Sequence, residues 1–171
     1  MPAQPTRLLL IPGYGTGVTY AVWRPRPQEL RGFTVFQGVA GVELFEWGKE
    51  LHYHLFSSLN PLASYQLYRT EQRLVQEEEL RNKLRRKIRD HDPEVIVAHS
   101  MGGVLLLTAL AHKNKSLRKI ILVGSDVRAN QRNRARMERY RHEGVRLHNV
   151  HCFWDQALLA SAVLNLSLPL G

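Results

Sequence analysis

The chain has 171 residues, 44% hydrophobic and 23% charged, a balance that suits one globular domain (1–171) with a buried core and excludes a low-complexity chain. Its one cysteine, Cys152, excludes a disulfide framework and a thiolate metal cluster, and no apolar run approaches the ~20 residues a membrane span needs. The formal net charge of +9 is the compositional oddity and calls for anionic partners to be considered.

Taken in order, Arg7-Leu-Leu-Leu-Ile11 is an apolar run of strand length. It stops at the Gly-rich Pro12-Gly13-Tyr14-Gly15-Thr16-Gly17, so it reads as a buried strand ending in a loop. Thr19 to Leu30 carries a short helix signal broken by Pro25 and Pro27. Phe33–Phe36 and Val42–Phe45 are both candidate strands, and either can join the main sheet. Asn60-Pro61 is a helix start, and the helical signal runs on to about Asp90, with Leu80, Leu84 and Ile88 at i, i+4 spacing. Pro93 closes it.

Residues 95–110 carry the most information. A β-branched run, Val95 to Val97, leads directly through Ala98-His99 into Ser100-Met101-Gly102-Gly103 and an apolar helical segment. A Ser placed between strand and helix sits on a strained turn with its hydroxyl exposed and its neighbouring N–H groups available to an anion. The pattern varies G-x-S-x-G, Ala98 replacing the first Gly; Ala98 and Gly102 leave no bulk beside the turn, and Gly103 permits close helix packing. The competing role for Ser100 is a plain helix N-cap.

Lys119 to Asp126 is a further buried strand ending in small polar residues, and Gln131 to His142 is an Arg-rich helix or loop. Val145 to Asp155 gives a strand that runs into an acid, and Gln156 to Asn165 reads as an apolar helix. Strands alternating with helices predict an α/β fold, a mostly parallel sheet with helices on both faces. Ligands then gather at the C-terminal strand ends, where Gly13, Ser100, Asp126 and Asp155 fall.

This order of parts resembles the α/β-hydrolase superfamily, from Leu8 to about Asn165. Leu-Leu-Leu-Ile-Pro-Gly-Tyr-Gly looks like the family's first central strand and oxyanion loop, and Ala-His-Ser-Met-Gly-Gly looks like its nucleophile elbow. The resemblance implies hydrolysis of an ester, thioester or amide of a small-molecule acyl substrate by a Ser100 nucleophile. It places oxyanion donors at the backbone N–H groups of Met101 and Tyr14, with Gly13, Gly15 and His99 lining the pocket. The orienting acid would be Asp155, with Asp126 as substitute; either can equally be a strand-exit or cap residue.

The sequence departs from the family in its base. The family order is nucleophile, acid, His, yet no His occurs beyond His151. His99, His148 and His151 read as structural or pocket-lining. Either the chain is a C-terminally short copy of a longer hydrolase, or it is a degenerate scaffold that binds without catalysing. The apolar helix from Ala157 to Leu166 predicts a neighbour, so either dimerisation through it or poor solubility is expected.

No cofactor is expected. Gly13-Tyr-Gly-Thr-Gly17 is not G-x-G-x-x-G, no Lys-Ser/Thr follows as in a P-loop, and no His/Cys/Asp/Glu set has metal-ligand spacing, His52-Tyr-His54 included. Two arginine-rich stretches, Arg81–Arg89 and Arg128–Arg141, read as solvated helix faces rather than a nucleic-acid surface, because only Tyr140 interleaves an aromatic ring. The lone Cys and the absence of a basic-then-apolar leader at the N-terminus predict a cytoplasmic protein.

Overall fold

In a computed structural model of the chain, the described residues are 6–13, 39–47, 66, 69, 70, 72–110, 113–125, 127 and 131–150. The apolar runs become strands β1 (Thr6–Ile11), β2 (Val39–Leu44), β3 (Val95–His99), β4 (Lys119–Val123) and β5 (Arg146–Val150). Helices α1 (Glu78–His91), α2 (Met101–Ala109) and α3 (Gln131–His142) fall between them. The strands form one all-parallel sheet in the order β2-β1-β3-β4-β5. From β1 the chain moves to one side to lay down β2 and then returns past β1 to add β3, β4 and β5. The order therefore reverses between β1 and β3, which opens a crevice at their C-terminal ends.

Parallel pairing puts Leu9, Ile96, Ile120 and Leu147 in one row and Ile11, Ala98 and Leu122 in another on the same face. Leu9, Ile96 and Ile120 are completely buried there, each contributing about 1.5–3 kcal/mol of hydrophobic stabilisation. All three helices deliver residues to this core: Leu84 and Ile88 from α1, Leu105 and Leu106 from α2, Tyr140 from α3. The row on the opposite face, Leu10, Val97 and Ile121, is half-buried. The helices expected over Thr19–Leu30 and Gln156–Asn165 lie outside the described residues, as does the candidate strand Phe33–Phe36.

Two elements differ from their sequence reading. The strand beside β1 spans Val39–Leu44, starting earlier than the Val42–Phe45 candidate, and Phe45 leaves the ladder with a backbone hydrogen bond to Leu10. The helix read as continuous to Asp90 is interrupted. Residues 72–74 are helical, Val75 and Gln76 turn, and Glu77 is extended (φ −67°, ψ 126°) before α1 begins. The break is closed by Gln76 N–H to Arg73 and Glu77 N–H to Leu74, and it drives Val75 into the core. An unbroken helix could not bury Val75 and the Leu84/Ile88 stripe together, since residues nine apart lie about 180° around the axis.

The far end of α1 is closed by Asp92 in the left-handed conformation (φ 45°), its N–H bonded to Ile88. Its carboxylate receives hydrogen bonds from Arg7 on β1 (3.0 Å), Asn114 (2.7 Å) and the Ser116 hydroxyl, which ties three segments at the bottom of the sheet. No helix among the described residues is long and apolar enough to cross a membrane.

Candidate functional site

The strand-to-helix corner at Ser100 stands at the β1/β3 crevice. β3 ends at His99 and α2 begins at Met101, so a single residue turns the chain. Ser100 achieves this with φ 50° and ψ −126°, a region that side chains other than glycine rarely enter and that costs of order 1–3 kcal/mol. The surrounding contacts hold it there. Its N–H bonds the Val123 carbonyl (3.0 Å), extending the β3–β4 ladder by one residue, and its carbonyl accepts from Gly103 N–H (3.0 Å). The hydroxyl makes no capping hydrogen bond, so the N-cap role does not describe this serine.

The small residues around the corner are there for space. A Cβ on Gly102 would stand 2.5 Å from the Ile11 carbonyl oxygen and as close to that of Pro12. One on Gly13 would collide with the Ser100 Cβ and lie 2.7 Å from the His99 oxygen, and one on Gly103 would lie 2.8 Å from the Ser125 Cβ. Thus the exit of β1 lies directly against the corner, backbone to side chain. The first N–H groups of α2, at Met101 and Gly102, have no partner inside the helix and sit at its positive end.

Two further residues support this arrangement. Trp47, just beyond β2, is buried and donates its indole N–H to the Pro12 carbonyl (2.8 Å), fixing the residue before Gly13. Ser125, after β4, is buried against Gly103 and directs its hydroxyl to the Ala98 carbonyl at 3.4 Å. Trp47 is a core residue with its one polar atom turned to the β1 exit. Nothing in local pattern marks Ser125, because its role depends on the strand beside it.

Of the expected site residues, the structure brings together Gly13, His99, Ser100 and Met101. His99 is exposed at the end of β3, with its Nδ1 about 3.1 Å from the Cβ position of Gly13. Met101 is buried beneath the corner. Tyr14, Gly15, Asp126 and Asp155 lie outside the described residues, as does the C-terminal helix expected to dimerise. His148 sits within β5, opposite Ile121, on the face away from the three helices. Comparisons with protein-family models, with curated proteins and with solved structures returned no match.

Proposed function

We propose that the chain is an α/β-hydrolase-like domain that transfers the acyl group of an ester, thioester or amide through Ser100. The observation that carries this reading is the backbone of Ser100: a positive-φ serine between a central parallel strand and a helix, its hydroxyl not used as a cap. Strain of this kind persists where function requires a side chain to be presented.

In this reading the Ser100 Oγ attacks the acyl carbon and gives up its proton to a base. The negative charge that develops on the acyl oxygen falls near the N-terminus of α2, where the Met101 N–H donates to it. Collapse of this adduct expels the alcohol, thiol or amine with a proton, and water then releases the acid from Ser100. By the family resemblance the second donor is the Tyr14 N–H and the orienting acid is Asp155 or Asp126. Trp47 holds Pro12, two residues before Tyr14 in the sequence. The base is assigned to none of the described residues.

A second reading, a binding domain on the same scaffold, is favoured by the histidines: His99 and His148 both belong to strands rather than to a loop facing Ser100. Hydrolysis of short-chain p-nitrophenyl esters separates the two. Acyl transfer predicts a burst of nitrophenolate of about one equivalent, lost in Ser100→Ala. A folded protein with no burst and no turnover supports the binding domain instead.

A further inference from the structure

The two arginine-rich stretches, far apart in sequence, line one groove. Arg81 and Arg85 project from α1 at i, i+4 spacing, and Arg132, Arg136 and Arg139 from α3 at i, i+4 and i+7, with Thr108 of α2 on the floor between them. The groove has a volume of about 410 Å³. It lies at the C-terminal end of α2, so the length of that helix, about 14 Å, separates it from Ser100.

Part of this charge, at Arg132 and Arg136, has no structural duty among the described residues. The carboxylate of Glu78 serves Arg81 (2.6 Å) and Arg85. The carbonyls at the end of α2 are met by Arg85 Nε, which bonds Ala109 (2.8 Å), and by the Tyr140 hydroxyl, which bonds Leu110. Arg132 and Arg136 are therefore not needed to close that helix. Arg81 Nε is buried with no acceptor among the described residues, a cost that a folded protein rarely leaves standing. Burial, together with repulsion from Arg132, Arg139 and Arg81, makes the charged form of Arg136 less favourable than in water. Guanidinium forks converging on a half-enclosed space match phosphate oxygens, which they bind bidentately.

The geometry points to a binding site for a small soluble ligand carrying several phosphates, held between α1 and α3. The site is independent of Ser100 chemistry. A nucleic-acid backbone is the competing macromolecule, and a single groove bounded on three sides suits a compact polyphosphate better than an extended strand.

The test is calorimetric titration of the full chain with sodium tripolyphosphate at about 150 mM salt, where diffuse attraction is screened beyond about 8 Å. Wild type and Ser100→Ala should bind one equivalent with equal affinity. Arg132→Gln/Arg136→Gln should weaken binding at least tenfold. The charge-matched pair Arg134→Gln/Arg141→Gln, exposed residues of α3 outside the groove, should change it less than threefold. Thermal unfolding guards against misfolding: the groove pair should melt no lower than wild type, and tripolyphosphate should raise the melting temperature of wild type, Ser100→Ala and the control pair more than that of the groove pair. Arg132→Gln alone, an exposed position, serves should the double variant not fold. Absence of saturable binding, or equal weakening by both pairs, overturns the proposal. Tighter binding by more than tenfold of a single-stranded oligonucleotide at equal phosphate concentration overturns it in favour of nucleic acid.

Discussion

Gly13 and Ser100 meet at the centre of the sheet, the backbone of the first against the side chain of the second, with no room for a Cβ between them. Gly13→Ala should therefore displace the corner or the β1 exit. The expected cost is about 1–3 kcal/mol, with covalent reactivity at Ser100 lowered at least tenfold. Gly41→Ala is the matched control, since among the described residues its added Cβ would meet only the His91 ring at 3.9 Å, and it should retain wild-type reactivity. Denaturant midpoints and labelling rates of the two variants check this.

Ser100 itself offers a test of strain that needs no substrate. Ser100→Gly should stabilise the fold by about 1 kcal/mol, because glycine adopts a positive φ without the steric cost, while Ser100→Ala should be close to neutral. A helix N-cap would instead make wild type the most stable of the three, with Ala costing about 1 kcal/mol and Gly only a few tenths. Urea unfolding of the three proteins distinguishes them.

Asp92 supplies a pH dependence of known sign. The Ser116 hydroxyl first, then its backbone N–H, Arg7 and Asn114 hold the Asp92 carboxyl below the usual carboxylate range. A depressed folded-state pKa contributes stability above the unfolded value of about 3.9, and that contribution is lost as pH falls through the folded value. Asp92→Asn, which tolerates the left-handed backbone, should lose about 1 kcal/mol at pH 7, a modest figure because the site is partly exposed. The difference from wild type should hold to about pH 5 and shrink below about pH 4. Midpoints that stay equally far apart at pH 7 and pH 3 would contradict the carboxylate's role.

Tyr140 couples α3 to α2 through its buried hydroxyl, and burial raises its phenol far above the ordinary value, so it remains a neutral donor. Tyr140→Phe leaves the Leu110 carbonyl without this partner and should cost about 1–2 kcal/mol. An unchanged melting temperature would show that the bond contributes nothing.

What the sequence made legible was local. Apolar runs marked β1, β3 and β4, the i, i+4 stripe of Leu84 and Ile88 marked the buried side of α1, and small residues around Ser100 marked a corner with no room. What it concealed depends on distant partners. The interruption at Val75 arises because a core position beneath α2 draws that residue in. Trp47 gains its role only once β2 lies beside β1, and the arginines of α1 and α3 become one groove only when both helices pack against α2. The start of β2 at Val39 was hidden because Val39 and Ala40 lead into Gly41, which breaks the apolar pattern.

The most direct measurement is intact-mass spectrometry after exposure to a fluorophosphonate, with peptide mapping of the adduct. An activated Ser100 predicts one phosphonyl group per chain, on the peptide that contains Ser100, and none on Ser100→Ala. A folded wild-type protein that stays unmodified, or one labelled elsewhere, would contradict it.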